Sequence, residues 1–311
     1  MFRFSRSLRM DLLHIQHVYG AWILFSILIV SVARGEYTST FGLLIPKSLP
    51  KAPPPVVFSY APNLVPITEA KAFVVYDIAT QKIIVSKNEN VVLPLASMTK
   101  LATAVTAMEL ASSTKRITIT PDILDEGYDI GLLRGQQFTL GELIKYMLVF
   151  SSNDGANAIA QTLGGKKYFI DAMNTLAIRE NMKTLFFTNP NGLDSKTEFG
   201  GIGSSLDVAR LMAYAYQHIP ALLDATTKSR AKILSSTGML TGIPNTNQFV
   251  EHFSGISGSK TGFTDEAGGN LTVVFDIALG RPVVIVVMGS TKSDRFIDVE
   301  KLYTFAKKAL Q

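Results

Sequence analysis

The chain has 311 residues, 47% hydrophobic and 18% charged, so it is not disordered by composition and holds enough apolar material for one large domain or two modest ones. Cysteine is absent, which excludes disulfides and thiolate metal sites, and His14, His17, His218 and His252 show no close pairing at metal-ligand spacing; a mechanism without metal or cofactor is favoured. The net charge is +5, and with Arg3, Arg6, Arg9 and Arg34 set against Asp11 and Glu36 the rest of the chain carries +3, too small an excess to require a nucleic-acid partner.

Residues 18–33 are uncharged and follow the arginine-rich start, so residues 1–36 read as a secretory signal peptide or an N-terminal membrane anchor. At ~1.5 Å per residue this run makes a helix of about 24 Å against a hydrocarbon core of ~30 Å, which leaves cleavage, for instance at Ser31-Val32-Ala33, and anchoring both open. Residues 37–66 hold seven of the thirteen prolines, a density that resists helix and sheet and reads as a semi-rigid spacer. The globular domain is expected over residues 67–311, on the exported side of the membrane.

Two β-branched runs, 72–76 and 82–86, predict a hairpin. Pro94 then precedes a helix over 101–110, in which Leu101, Val105 and Met108 recur at helical spacing. Extended back over Leu95–Lys100, that helix puts Ser97 and Lys100 on one face. A serine hydroxyl attacks near neutral pH only when an adjacent base takes its proton, and a lysine of depressed pKa can be that base. Residues 116–120 alternate like a short strand. Thr139 is placed to cap a helix over 140–148, with Glu142 at the capping-box position. That helix would deliver Ser151 and Asn153 to a polar loop ahead of a second helical run, 156–163, a good place to present side chains into a cleft.

Residues 186–205 are rich in glycine and asparagine and read as a surface loop near the cleft, followed by a helix over 208–218. His218 and His252 read as structural. Glu198 lies in the glycine-rich loop. Lys260-Thr261-Gly262 stands just ahead of a strand-like segment; runs 271–276 and 283–288 read as adjacent strands, the second suited to a central position covered on both faces. A closing amphipathic helix over 296–310 can pack on the sheet. The fold class expected is mixed α/β (α+β), an antiparallel sheet flanked by helices plus a mostly helical subdomain.

Ser97-x-x-Lys100, Ser151-x-Asn153 and Lys260-Thr261-Gly262 occur in the order shared by penicillin-binding proteins and class A β-lactamases. With their flanks, and with Asn191-Gly192-Leu193-Asp194 and Val287-Met288-Gly289, the chain from about residue 67 resembles the serine D-alanyl-D-alanine carboxypeptidases, the low-molecular-mass penicillin-binding proteins. The resemblance implies a β-lactamase/transpeptidase-like fold, a peptidoglycan stem peptide as substrate and β-lactam antibiotics as covalent inhibitors. It implies that Ser97 is the acylating nucleophile, Lys100 its base, and Ser151 the shuttle that passes a proton to the leaving D-alanine. Asn153, Lys260, Thr261 and Gly262 would bind substrate, with Gly262 letting it lie along the strand edge as an added strand. The backbone N–H groups of Ser97 and Phe263 would form the oxyanion hole.

Phe263 stands where many relatives have histidine, a departure that the backbone donor survives. The chain stops soon after the closing helix and in this resembles the short endopeptidase members, which implies the expectation that the N-terminal segment takes the place of a C-terminal anchor. Two alternatives share these motifs: a class A-like β-lactamase, which would need a deacylating loop glutamate such as Glu198, and a catalytically silent peptidoglycan-binding protein.

Overall fold

The computed structural model describes residues 65–124, 132–278 and 280–310, all within one compact unit, Phe58–Gln311. The N-terminal segment 1–36 and all but the last two residues of the proline-rich stretch lie outside the described residues.

In chain order the elements are β1 (Ala72–Asp77), β2 (Lys82–Lys87), β3 (Leu93–Pro94), a 3-10 turn (Ala96–Met98), α1 (Thr99–Leu110), β4 (Arg116–Thr118), β5 (Gln137–Thr139), α2 (Leu140–Phe150), α3 (Asn153–Thr162) and α4 (Lys166–Arg179). They continue with β6 (Phe186–Phe187), β7 (Gly201–Gly203), α5 (Ser205–His218), α6 (Pro220–Leu223), β8 (Arg230–Ser235), β9 (Gly238–Pro244), β10 (Ile256–Thr264), β11 (Gly268–Ala278), β12 (Arg281–Ser290) and α7 (Asp294–Ala309).

The main sheet has the order β10-β11-β12-β1-β2 with every neighbouring pair antiparallel, and β12 is its central strand. Side chains alternate across it with the period of two that a pleated strand imposes. Phe73, Val75, Val283, Ile285 and Val287 join Phe296, Val299, Leu302 and Ala306 of α7 in one core, while Val74, Tyr76, Val284, Val286 and Met288 join the helical layer on the other face. The unbroken apolar run of β12 is therefore explained by helices on both sides. Strand β10 is at the edge of the sheet.

The helical layer is centred on α1, where Thr99 through Ala107 are all buried. A helix without a polar face must be surrounded, and α2, α3, α4 and α5 pack around it. Thr139 caps α2 by accepting from the Glu142 N–H, but the Glu142 carboxylate does not complete a reciprocal capping box: it takes hydrogen bonds from Lys145 and from the Leu234 backbone of β8.

Elsewhere the structure departs from expectation in ways that matter at the cleft. Lys260-Thr261-Gly262 does precede a strand, β11, but is itself part of another, β10, which pairs with it. Asn153 is the first residue of α3 and not part of the loop ahead of it, because Ser152 caps the helix through the Gly155 N–H at 2.8 Å. The stretch 186–205 is a surface loop only in part: short strands β6 and β7 pair within it, and Pro190, Asn191 and Gly192 are buried. Helix α4 and the β8–β9 hairpin fall outside the sequence expectation, although Phe169, Met173, Leu176 and Ala177 give α4 a buried stripe at helical spacing.

Candidate active site

The turn that carries Ser97 is held from three sides. Leu95 donates its N–H to the Gly201 carbonyl at 2.8 Å, and the Asn270 side chain donates to the Pro94 and Leu95 carbonyls at 2.9 and 3.2 Å. From β10 the backbone of Gly262 approaches so closely that a Cβ there would lie 2.7 Å from the Leu95 carbonyl oxygen. Ala96 is pressed into the left-handed region at φ +49°, a conformation that costs a side-chain-bearing residue about 1–2 kcal/mol and persists only when its surroundings impose it. Ser97 thus sits in a strained 3-10 turn ahead of α1, not on the helix itself.

At this junction residues three apart face each other, and Lys100 Nζ lies 2.9 Å from Ser97 Oγ. Lys100 is 0% exposed, and Nζ also contacts Asn153 Oδ1 at 2.8 Å and the Asn191 carbonyl at 2.6 Å. A neutral amine has two hydrogens and one lone pair. With the two hydrogens directed at Asn153 and Asn191, the lone pair can face Ser97 and accept its hydroxyl proton.

A second hydroxyl–amine pair stands beside the first. Ser151 ends α2 in the left-handed conformation, φ +68°, and its Oγ accepts from Lys260 Nζ at 2.9 Å. Lys260 is 1% exposed and also donates to the Thr261 carbonyl at 2.9 Å. Burial first, then the charge that Lys100 carries when protonated, then Arg295, hold the Lys260 amine well below its ordinary value of about 10.5. Thr261 Oγ1 donates to Thr246 Oγ1 at 2.7 Å. Phe263 is 39% exposed, with Lys292 Nζ 5.0 Å above its ring.

Ser97, Lys100 and Asn153 are therefore linked by direct contacts, Ser151 and Lys260 by another, and the short chain from Ser151 to Asn153 ties the two groups together, while Gly262 abuts the Ser97 turn. His218 and His252 are engaged elsewhere, the first against Tyr214 and the second stacked on Phe249. Glu198 is exposed, its carbonyl accepting from the Ser195 N–H. Among the described residues no group of three or more His, Asp or Glu side chains could hold a metal ion.

Four participants were not assigned from sequence. The Asn191 carbonyl receives Lys100; Thr246 receives Thr261; Asn270 fixes the carbonyls before Ser97; and Arg295 Nη1 donates to the Gly262 carbonyl at 2.8 Å. Only Asn191 had a local signal, in the turn-forming Asn-Pro-Asn-Gly stretch. The others act from single polar residues with no motif around them.

The sequence profile of the D-alanyl-D-alanine carboxypeptidase family matches residues 60–292. The D-alanyl-D-alanine carboxypeptidase DacF of Bacillus subtilis is 31% identical over 245 residues, covering 76% of this chain and 62% of the relative, so the chain spans less than two thirds of that protein's length. A D-alanyl-D-alanine endopeptidase of Haemophilus influenzae is 31% identical over 215 residues, covering 66% of this chain and 70% of the relative. Among solved structures, penicillin-binding protein D2 of Listeria monocytogenes in its ampicillin-bound form superposes with a TM-score of 0.68 at 27% identity, covering 79% of this chain and 98% of that one.

Proposed function

The chain belongs to the D-alanyl-D-alanine carboxypeptidase family, and from that premise we propose that it is a serine DD-peptidase acting on peptidoglycan stem peptides. The observation that carries this reading is the contact of Lys100 Nζ with Ser97 Oγ while Asn153 and Asn191 occupy its other directions. In the proposed reaction Lys100 takes the hydroxyl proton as Ser97 Oγ attacks the carbonyl carbon of the scissile D-amino-acid bond. The resulting oxyanion is held by the N–H groups of Ser97 and Phe263, each such donor contributing ~2.7–4 kcal/mol to the transition state. Collapse breaks the C–N bond. Ser151, paired with Lys260, passes a proton to the departing amine, and water then hydrolyses the ester on Ser97.

Substrate binding is assigned to Asn153, Lys260, Thr261 and Gly262. Edge strand β10 has one side without a strand partner in the sheet, so an extended peptide can add there by main-chain hydrogen bonds. A terminal carboxylate is assigned to Thr261 and Thr246 beside the Lys260 amine, a reading supported by the contact between the two hydroxyls. The same geometry accepts a β-lactam, whose strained amide acylates Ser97 and leaves a slow ester. The β-lactamase alternative gains nothing from Glu198, which is exposed and tied into its own turn.

The domain reading belongs to the same proposal: residues 1–36 export or anchor the chain, 37–66 space it from the membrane, and 67–311 work on the extracytoplasmic face or in the periplasm. Among the described residues no helix is long and apolar enough to cross a membrane. Incubation of the protein with purified muropeptides and analysis of products by mass tests the activity. Loss of one terminal alanine identifies a carboxypeptidase, conversion of dimers to monomers an endopeptidase, and no change in either refutes the proposal.

A further inference from the structure

A third buried basic side chain stands behind β10. Arg295, near the start of α7, is 6% exposed and donates from Nη1 to the Gly262 carbonyl oxygen at 2.8 Å. Its guanidinium lies 4.8 Å from the centre of the Phe296 ring, and its Nε is buried without a hydrogen-bond partner. Among the described residues it forms no ion pair with a carboxylate. Burying an unpaired guanidinium is expensive, and burial pushes its pKa down to about 10, which still leaves it charged at neutral pH. A helix-to-strand tie alone would be served by a neutral donor at lower cost.

The carbonyl it holds belongs to a particular peptide unit. Gly262 C=O and Phe263 N–H are the two ends of one plane, and with no cis bond among the described residues they point in opposite directions. On the Ser97 side this plane is set by the close approach of Gly262 to Leu95 and Met98; on the other it is gripped by Arg295. A cation bonded to an amide oxygen draws electron density from the nitrogen, so the opposite N–H becomes a stronger donor. Charge-assisted bonds are roughly twice as strong as neutral ones, and chained bonds reinforce each other.

We propose that Arg295 is a positioning residue for the oxyanion hole: it fixes and polarises the Gly262–Phe263 peptide so that the Phe263 N–H stabilises the oxyanion formed on acylation. The inference rests on the reading of Ser97 as the acylating nucleophile.

The test uses Arg295→Met and Arg295→Lys in the full chain, with thermal unfolding measured for each. Acylation is followed with two ester substrates that differ only in carrying C=O or C=S at the scissile carbonyl; sulfur is a weak acceptor and draws little from the hole. Arg295→Met is expected to slow the oxo substrate by about tenfold to a hundredfold, less than the 10²–10³ lost with a whole donor, and to change the thiono substrate little. Arg295→Lys recovers part of the loss. Gly262-Phe263 is the only Gly-Phe pair in the sequence, so ¹³C′-glycine with ¹⁵N-phenylalanine labelling isolates this one peptide. Its carbonyl carbon and amide nitrogen resonances are expected to move upfield in Arg295→Met. Equal slowing of both substrates with unmoved resonances overturns the proposal and leaves Arg295 as a structural tie. A wild type that is acylated by neither substrate overturns the Ser97 reading itself, and this inference with it.

Discussion

Asn153 Oδ1 accepts a hydrogen bond from Lys100 Nζ at 2.8 Å, joining the first residue of α3 to the second residue of α1. Through it the segment that carries Ser151 and the turn that carries Ser97 share one amine. The neutral amide matters as much as the distance. It engages a hydrogen of Lys100 without adding a negative charge that would hold the amine protonated.

Asn153→Asp is therefore expected to impair acylation differently from Asn153→Ala. A carboxylate in contact with Lys100 favours the ammonium form and shifts an opposite partner by about 1–3 pKa units, so the acidic limb of the acylation rate profile moves to higher pH by that amount. Asn153→Ala loses orientation but shows no such displacement. Rates of labelling by a fluorescent penicillin across pH distinguish the two.

Lys260 is the group with the clearest linkage to stability. Its folded pKa lies well below the ordinary value of about 10.5, so between those two values the unfolded chain binds the extra proton and stability rises with pH. Below the depressed value the full cost of burying the cation is present; above about 10.5 none of it is. Lys260→Met lacks the effect. Urea unfolding from neutral to alkaline pH is expected to show the wild type gaining on Lys260→Met as pH rises, and parallel curves contradict the depressed value.

Gly262→Ala places a Cβ 2.7 Å from the Leu95 carbonyl oxygen, and 3.3 Å from both the Ala96 Cβ and the Met98 nitrogen. Both segments are fixed backbone, so the clash is relieved only by moving β10 or the Ser97 turn. Overpacking of this kind costs about 1–3 kcal/mol, expected to lower the melting temperature by several degrees and to slow penicillin labelling together.

Asn270→Leu tests the scaffold without touching the reacting groups. The buried amide donates to the Pro94 and Leu95 carbonyls and accepts from the Gly289 N–H at 2.9 Å. Leucine leaves these backbone groups unpartnered, at about 1–3 kcal/mol for each group that water cannot reach. Chemical denaturation is expected to show a loss of at least ~2 kcal/mol.

The sheet and the central helix were legible because their patterns are unambiguous: 283–288 is too short for a helix and too apolar for an exposed strand, and 101–110 has neither glycine nor proline. The three motifs marked Ser97, Ser151, Asn153 and Lys260. What sequence could not supply was their local geometry. Ser97 is on a 3-10 turn because Gly262 and Asn270 approach from strands more than 160 residues away, and nothing near Ala96 announces its positive φ. Arg295 and Thr246 were illegible for the same reason, since each acts across the fold on a backbone or hydroxyl group that carries no pattern of its own.

The central claim is that Lys100 activates Ser97 for covalent attack. Exposure of the full chain to a β-lactam, followed by proteolysis and mass analysis, tests it most directly. The account predicts one adduct, on the peptide containing Ser97, absent from Ser97→Ala and strongly slowed in Lys100→Met while both variants remain folded. An adduct on another residue, or equal labelling of Ser97→Ala, would contradict it.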